Sequence, residues 1–175
     1  MSSFDYFKIC KECDDEECCK EPYYAFLSKI EILKIKEYLL ANKFEKKFQN
    51  FISKGNFTYN DEKTEVFSIK KDKGKCIFLK DNRFCMIQNV KPLDCRQWPL
   101  TFDYLEKEDK LIIYRGVCPL SDVLDENWIK SMIEIIKKEV KNWPLQDLAA
   151  YTSYDRDDTL REIKIFENFL GIKDK

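Results

Sequence analysis

Eight cysteines and no histidine occur in this chain of 175 residues, and four of the eight fall within ten positions: Cys10, Cys13, Cys18 and Cys19. Any fold the chain adopts must house these thiols, so their chemical state constrains it more than any other feature. Asp14, Asp15, Glu16 and Glu17 separate the second thiol from the third. The other four, Cys76, Cys85, Cys95 and Cys118, stand singly downstream. Without histidine, imidazole ligation is excluded. A bound metal must be held mostly by thiolates, with carboxylates as minor partners.

Three states of the thiols compete: metal-bound, disulfide-paired or redox-active, and simply buried. Eight cysteines allow about 105 pairings as disulfides. A chain of this length buries roughly 70% of its unfolded surface, however, and needs no cross-links to be compact. The first thirteen residues hold no apolar run of signal-peptide length, and no segment has the apolar length of a membrane span. A cytoplasmic protein is therefore expected, and thiols stay reduced there. Inert burial accounts for a single cysteine such as Cys76 or Cys118. It does not account for four thiols in ten positions among acids. Metal ligation is the favoured state, and DDEE is expected to be a solvated loop.

The Cys10-x-x-Cys13 pair spaces two sulfurs for one metal ion or one cluster edge. Neighbours in extended chain point to opposite sides, so Cys18 and Cys19 straddle two centres or supply one ligand and one accessory thiol. Cys76 and Cys85 flank one expected hairpin, Cys95 lies in a loop between Pro92 and Pro99, and Cys118 follows the next hairpin. One CxxC and four single cysteines suit the corners of an iron–sulfur cluster, [4Fe–4S] in particular, better than the paired knuckles of a zinc site. Arg83, Arg96 and Arg115 stand within three residues of cysteines, where guanidinium groups could offset sulfur charge. The alternative places them on hairpin surfaces.

Charge and composition exclude several classes. The net charge is −1, with 36% charged residues and no basic arm or stripe, so nucleic-acid binding is not expected. Hydrophobic residues make 44% and aromatics 14%, enough for a filled core, while four glycines and five prolines argue against a disordered chain. No phosphate-binding or nucleophile motif is present. A partner protein could use an exposed helical face; membrane association is not expected, and oligomeric state is left open.

The patterning predicts an α+β fold: a small β-hairpin core with a cysteine-rich N-terminal segment, flanked by helices. Helical spacing runs over 24–53, with a break near Asn42 and an end at Gly55-Asn56. Three hairpins are expected over 57–118, turning at Asn60-Asp61-Glu62, Asp81-Asn82 and Glu108-Asp109. A helix over 121–142 carries Trp128, Met132, Ile135, Ile136 and Val140 and stops at Trp143-Pro144. A last helix is expected at 157–170, ending at Gly171. Residues 1–120 form the expected metal-binding region, and 121–175 a helical extension packed on it.

CxxC followed by CC, then CIFL, CMI, KPLDCRQWPL and a late Cys-Pro resembles the YkgJ-type family of zinc- or iron-chelating proteins. The resemblance covers roughly residues 8–120, with all eight cysteines in order and the family's Pro-x-x-Cys-Arg and following Pro at Pro92, Cys95, Arg96 and Pro99. It implies metal chelation by the cysteines; a similar cysteine region occurs in flagellin lysine methylases. Two departures stand out. DDEE is longer and more acidic than the family's gap, and Lys91 replaces the usual arginine, which weakens any bidentate contact there. The expected function is a cysteine-cluster metal protein, iron–sulfur ahead of zinc, in an accessory or redox role. A zinc-stabilised interaction module and a metal-dependent enzyme component related to the methylases are the alternatives.

Overall fold

The computed structural model describes residues 17–81, 84–117, 124–153 and 160–171. The chain divides into two compact units, one of residues 1–56 and 65–96, the other of 57–64 and 97–175.

In the first unit, Ser28 and Glu31 form a capping box that starts α1, Lys29–Ala41. The Ser28 side chain accepts from the Glu31 N–H, and the Glu31 carboxylate accepts from the Ser28 N–H, so two otherwise orphaned donors are satisfied. Ile32, Ile35 and Leu39 turn inward, while Leu33 and Leu40 are 60% and 64% exposed. The helix ends at Asn42, whose N–H returns to Tyr38 and Leu40, and a short α2, Lys46–Gln49, follows.

The expected helical stretch stops there. Ile52 opens β1, Ile52–Tyr59, which runs through Gly55 and pairs with β2, Glu62–Ile69. The turn is Asn60-Asp61, both at positive φ (50° and 62°), the left-handed pair that two-residue hairpins require. Leu27, Ile32, Ile35, Leu39, Phe51, Ile69, Phe78 and Ile87 make this unit's core.

The second expected hairpin is shorter than expected: Leu79 and Cys85 pair antiparallel and the Lys80 N–H donates to Phe84 O at 3.0 Å, while Asn82 of its turn lies outside the described residues and Cys76 is not part of the pairing. Cys76 pairs backward, in β4 (Lys75–Cys76), with Lys71 of β3 (Lys71–Asp72), across a turn at Lys73-Gly74. With Cys76 already paired, the forward pairing is left to Leu79 and Cys85, closed further by Met86 N–H to Phe78 O (2.8 Å). The expected loop at 92–99 contains a five-residue helix, α3, Leu93–Gln97.

The second unit holds the three-stranded antiparallel sheet β5-β6-β7: Leu100–Leu105, Lys110–Arg115 and Arg161–Phe166. Phe102 pairs with Ile113, and Ile113 with Lys164. The β5–β6 hairpin turns through Glu106–Asp109, as its alternation predicts. Asp125 caps α4, Glu126–Val140, by accepting from the Trp128 N–H at 2.7 Å. Its buried residues, Trp128, Met132, Ile136 and Val140, recur every four positions. Pro144 begins an unanticipated α5, Leu145–Thr152, which packs on β5. Phe102 stacks on Tyr151 at 4.3 Å between centroids and meets Trp143 edge-on.

The expected terminal helix is overturned. REIKIF, residues 161–166, is a strand. Its lysine, arginine and glutamate favour helix, but the edge of β6 offers a row of backbone partners that outweighs the local preference. Among the described residues no helix is long and apolar enough to cross a membrane.

Candidate metal centre

Five of the eight cysteines lie among the described residues; Cys10, Cys13 and Cys118 lie outside them, as do Asp14, Asp15, Glu16 and Arg83. All five belong to the first unit; the Cys76 thiol feels Cys19 and Cys85, and the Cys95 thiol feels Cys19 and Cys76. Cys18 is exposed beside Cys19.

Local pairing explains the approach. Cys19 ends the 3-10 turn Glu17–Cys19; its neighbour Lys20 bridges to Lys75, and the Glu21 N–H donates to Gly74 O at 2.9 Å. These contacts tie the N-terminal segment to the β3–β4 turn, next to Cys76. Cys85 stands across an antiparallel bridge from Leu79. Cys76, Cys85 and Cys95 all pack against the unit's hydrophobic core.

Cys95 sits in the middle of α3, and side chains on both its flanks hold that turn in place. The Leu93 N–H, at the head of the turn, donates to Glu31 Oε1. Asp94 Oδ2 accepts from the Phe26 N–H at 2.8 Å, and Arg96 Nε donates to Lys91 O at 2.9 Å. Phe26 and Glu31 flank the start of α1, so α1 and the PLDCR segment are locked together by carboxylate-to-backbone bonds, which are stronger than neutral ones. Sequence reasoning missed Glu31 and Asp94. The S-x-x-E pattern at Ser28–Glu31 was a readable signal for the cap; nothing local signals that the same carboxylate reaches Leu93.

Burial and mutual repulsion set the electrostatics. Burial pushes the Cys76 thiol up to about 12; the Phe78 N–H opposes this, the Cys19 and Cys85 sulfurs add to it, and Lys71 offsets part. Burial likewise raises Cys95 well above its ordinary value, with Asp94, Cys19 and Cys76 adding and Lys91 opposing. Cys76 and Cys95 carry free thiols. A cation among them would reverse these shifts, since each thiolate that raises its neighbour's pKa would then face positive charge. In donor chemistry the set fits a thiolate-preferring metal. Among the described residues, however, no three or more Cys, Asp or Glu side chains are gathered so as to hold a single metal ion.

Of the arginines expected to face sulfur, Arg96 commits its Nε to the Lys91 carbonyl and its charge also favours ionised Glu31. Arg115 ends β6 in the second unit, in register with Leu100 and Arg161. Trp98 is a packing residue: a Cβ at Gly116 would lie 3.0 Å from its ring.

No curated protein and no solved structure matches the chain. Residues 9–119, well over half its length, match the family described as "CxxCxxCC: Putative zinc- or iron-chelating domain". The matched stretch contains every cysteine. By that match the chain belongs to the CxxCxxCC family, whose domain is one of zinc or iron chelation.

Proposed function

We propose that the cysteines hold an iron–sulfur centre in an accessory or redox role. The observation that carries this reading is that Cys76 feels the sulfurs of Cys19 and Cys85, and Cys95 those of Cys19 and Cys76, thiols drawn from a 3-10 turn, a short strand, a bridge and a helical turn. Four donors on four separate elements suit the corners of a polynuclear core, whereas structural zinc sites more often use paired knuckles. Cys10, Cys13, Cys18 and Cys118 would complete the donor set. An iron–sulfur core would supply one-electron chemistry.

The chain's own contribution is to bring these thiols into one unit and hold Cys76, Cys85 and Cys95 against its hydrophobic core. Half-buried thiols resting on the hydrophobic core are poorly hydrated, so their anions are costly until a cation arrives, and binding must release their protons. Glu31 and Asp94 keep the Cys95 turn from drifting.

Anaerobic purification followed by iron, sulfide and zinc analysis tests the proposal. The expected result is brown protein with iron and inorganic sulfide in equal amounts. Colourless protein with stoichiometric zinc would overturn the iron–sulfur assignment in favour of a zinc-stabilised module, and metal-free folded protein would overturn both.

A further inference from the structure

The first unit carries an open groove of about 1000 Å³ between α2 and the β3–β4 region. Its rim has five lysines, Lys46, Lys47, Lys70, Lys71 and Lys80, against two acids, Asp72 and Asp81. Among the described residues that is a local charge of +3 on a chain whose net charge is −1. Its floor is apolar: Phe48, Ile77, Leu79 and Met86. The floor residues are the thiols' neighbours along the backbone: Ile77 follows Cys76, Met86 follows Cys85 and Leu79 bridges to Cys85.

We propose that this groove is a docking site for an acidic segment of a partner protein, anchored by an apolar side chain and seated beside Cys76 and Cys85. Charge complementarity names the occupant. A positive rim on a slightly negative molecule steers carboxylates to this face and selects against basic partners. Lysine ammonium groups are compact, hydrated point charges that suit exposed carboxylates, and among the described residues of the rim every cation is a lysine. Two aspartates within the rim also disfavour a continuous phosphate backbone. The floor calls for an apolar anchor, and Met86 lets it adapt to more than one side-chain shape. An open groove at the upper end of small-molecule pocket volumes accommodates a chain segment better than an enclosed ligand. Docking stands on the groove's own charge and shape; its use in serving a metal centre rests on the function proposed above.

The test is fluorescence anisotropy with a fluorescein-labelled peptide of aspartates and glutamates around a central leucine. Saturable binding at low salt that weakens as sodium chloride is added is expected, because exposed charges are screened. The exposed triple variant Lys46→Glu, Lys70→Glu, Lys80→Glu should bind about tenfold more weakly or worse, since three exposed ion pairs are lost. If that variant fails to fold, Lys46→Gln with Lys80→Gln reads the same loss on a smaller scale. No binding at low salt would overturn the proposal, as would equal binding by the variant or by an asparagine–glutamine version of the peptide. Capture of phosphatidylglycerol vesicles without peptide binding would overturn it in favour of a lipid surface. Metal content is measured on the same samples. Peptide binding by metal-free protein sinks only the metal reading, and metal-loaded protein that ignores the peptide sinks only the docking site.

Discussion

Replacing Glu31 by alanine leaves two main-chain donors, the N–H groups of Ser28 and Leu93, without their acceptor. The Ser28 hydroxyl also loses its partner, at 2.8 Å, but can rotate to another. A buried donor left unpaired costs about 1–3 kcal/mol, so the two amides together cost about 2–6 kcal/mol. Part is recovered, since burial raises the Glu31 pKa above 4.5, which means the folded state bears a penalty for its charge that alanine does not. A net loss of about 2–4 kcal/mol is expected, lowering the melting midpoint by roughly 4–16 °C for a chain of this size. The pH dependence has a definite sign. A carboxyl whose folded pKa is raised binds its proton more tightly when folded, so its contribution is greatest below about pH 4.5 and declines as pH rises through the folded value. The gap between wild type and Glu31→Ala should therefore narrow as pH rises. Glu31→Gln, which keeps volume and one carbonyl acceptor, should fall between them. Urea unfolding across that pH range reads all three proteins. An alanine variant within about 1 kcal/mol of wild type at every pH would refute the account of how α1 grips the Cys95 turn.

Cys95→Ser and Cys10→Ser should each lower metal content per chain on anaerobic purification; unchanged stoichiometry in both would count heavily against the ligand set. Metal-free protein should lose stability as pH rises from about 9 toward 12, because an unfolded Cys76 ionises at its ordinary value while the folded one holds its proton to about 12. The loss is at most about 4 kcal/mol, at about 1.4 kcal/mol per pKa unit, and Cys76→Ala should abolish that part of the alkaline slope in urea titrations. Asp109→Ala should cost about 2–4 kcal/mol in urea unfolding, since buried Asp109 accepts from Tyr104 Oη and from the N–H groups of Leu170 and Gly171 while holding a φ of 47° that alanine resists.

What could be read before folding was the short-range part. The turn chemistry of Asn60-Asp61, the four-residue recurrence of Trp128, Met132, Ile136 and Val140, and the alternation on either side of Glu106–Asp109 each act within a few residues, and each element formed. The eight cysteines, the lack of histidine and the KPLDCRQWPL segment were enough to mark a zinc- or iron-chelating domain of the CxxCxxCC family.

Long-range partners decided the rest. Arg161–Phe166 became a strand because β6 had an unpaired edge to offer, and Cys76 paired back to Lys71 instead of forward across Asp81. Glu31 reaches Leu93 across 62 positions and Asp94 reaches Phe26 across 68. Local preference is worth only tenths of a kcal/mol per residue, whereas an unpaired buried amide costs whole ones. Composition and spacing therefore told which thiols were chemically suited to a metal. Backbone pairing and buried carboxylates determined that Cys76 feels the sulfurs of Cys19 and Cys85, and Cys95 those of Cys19 and Cys76.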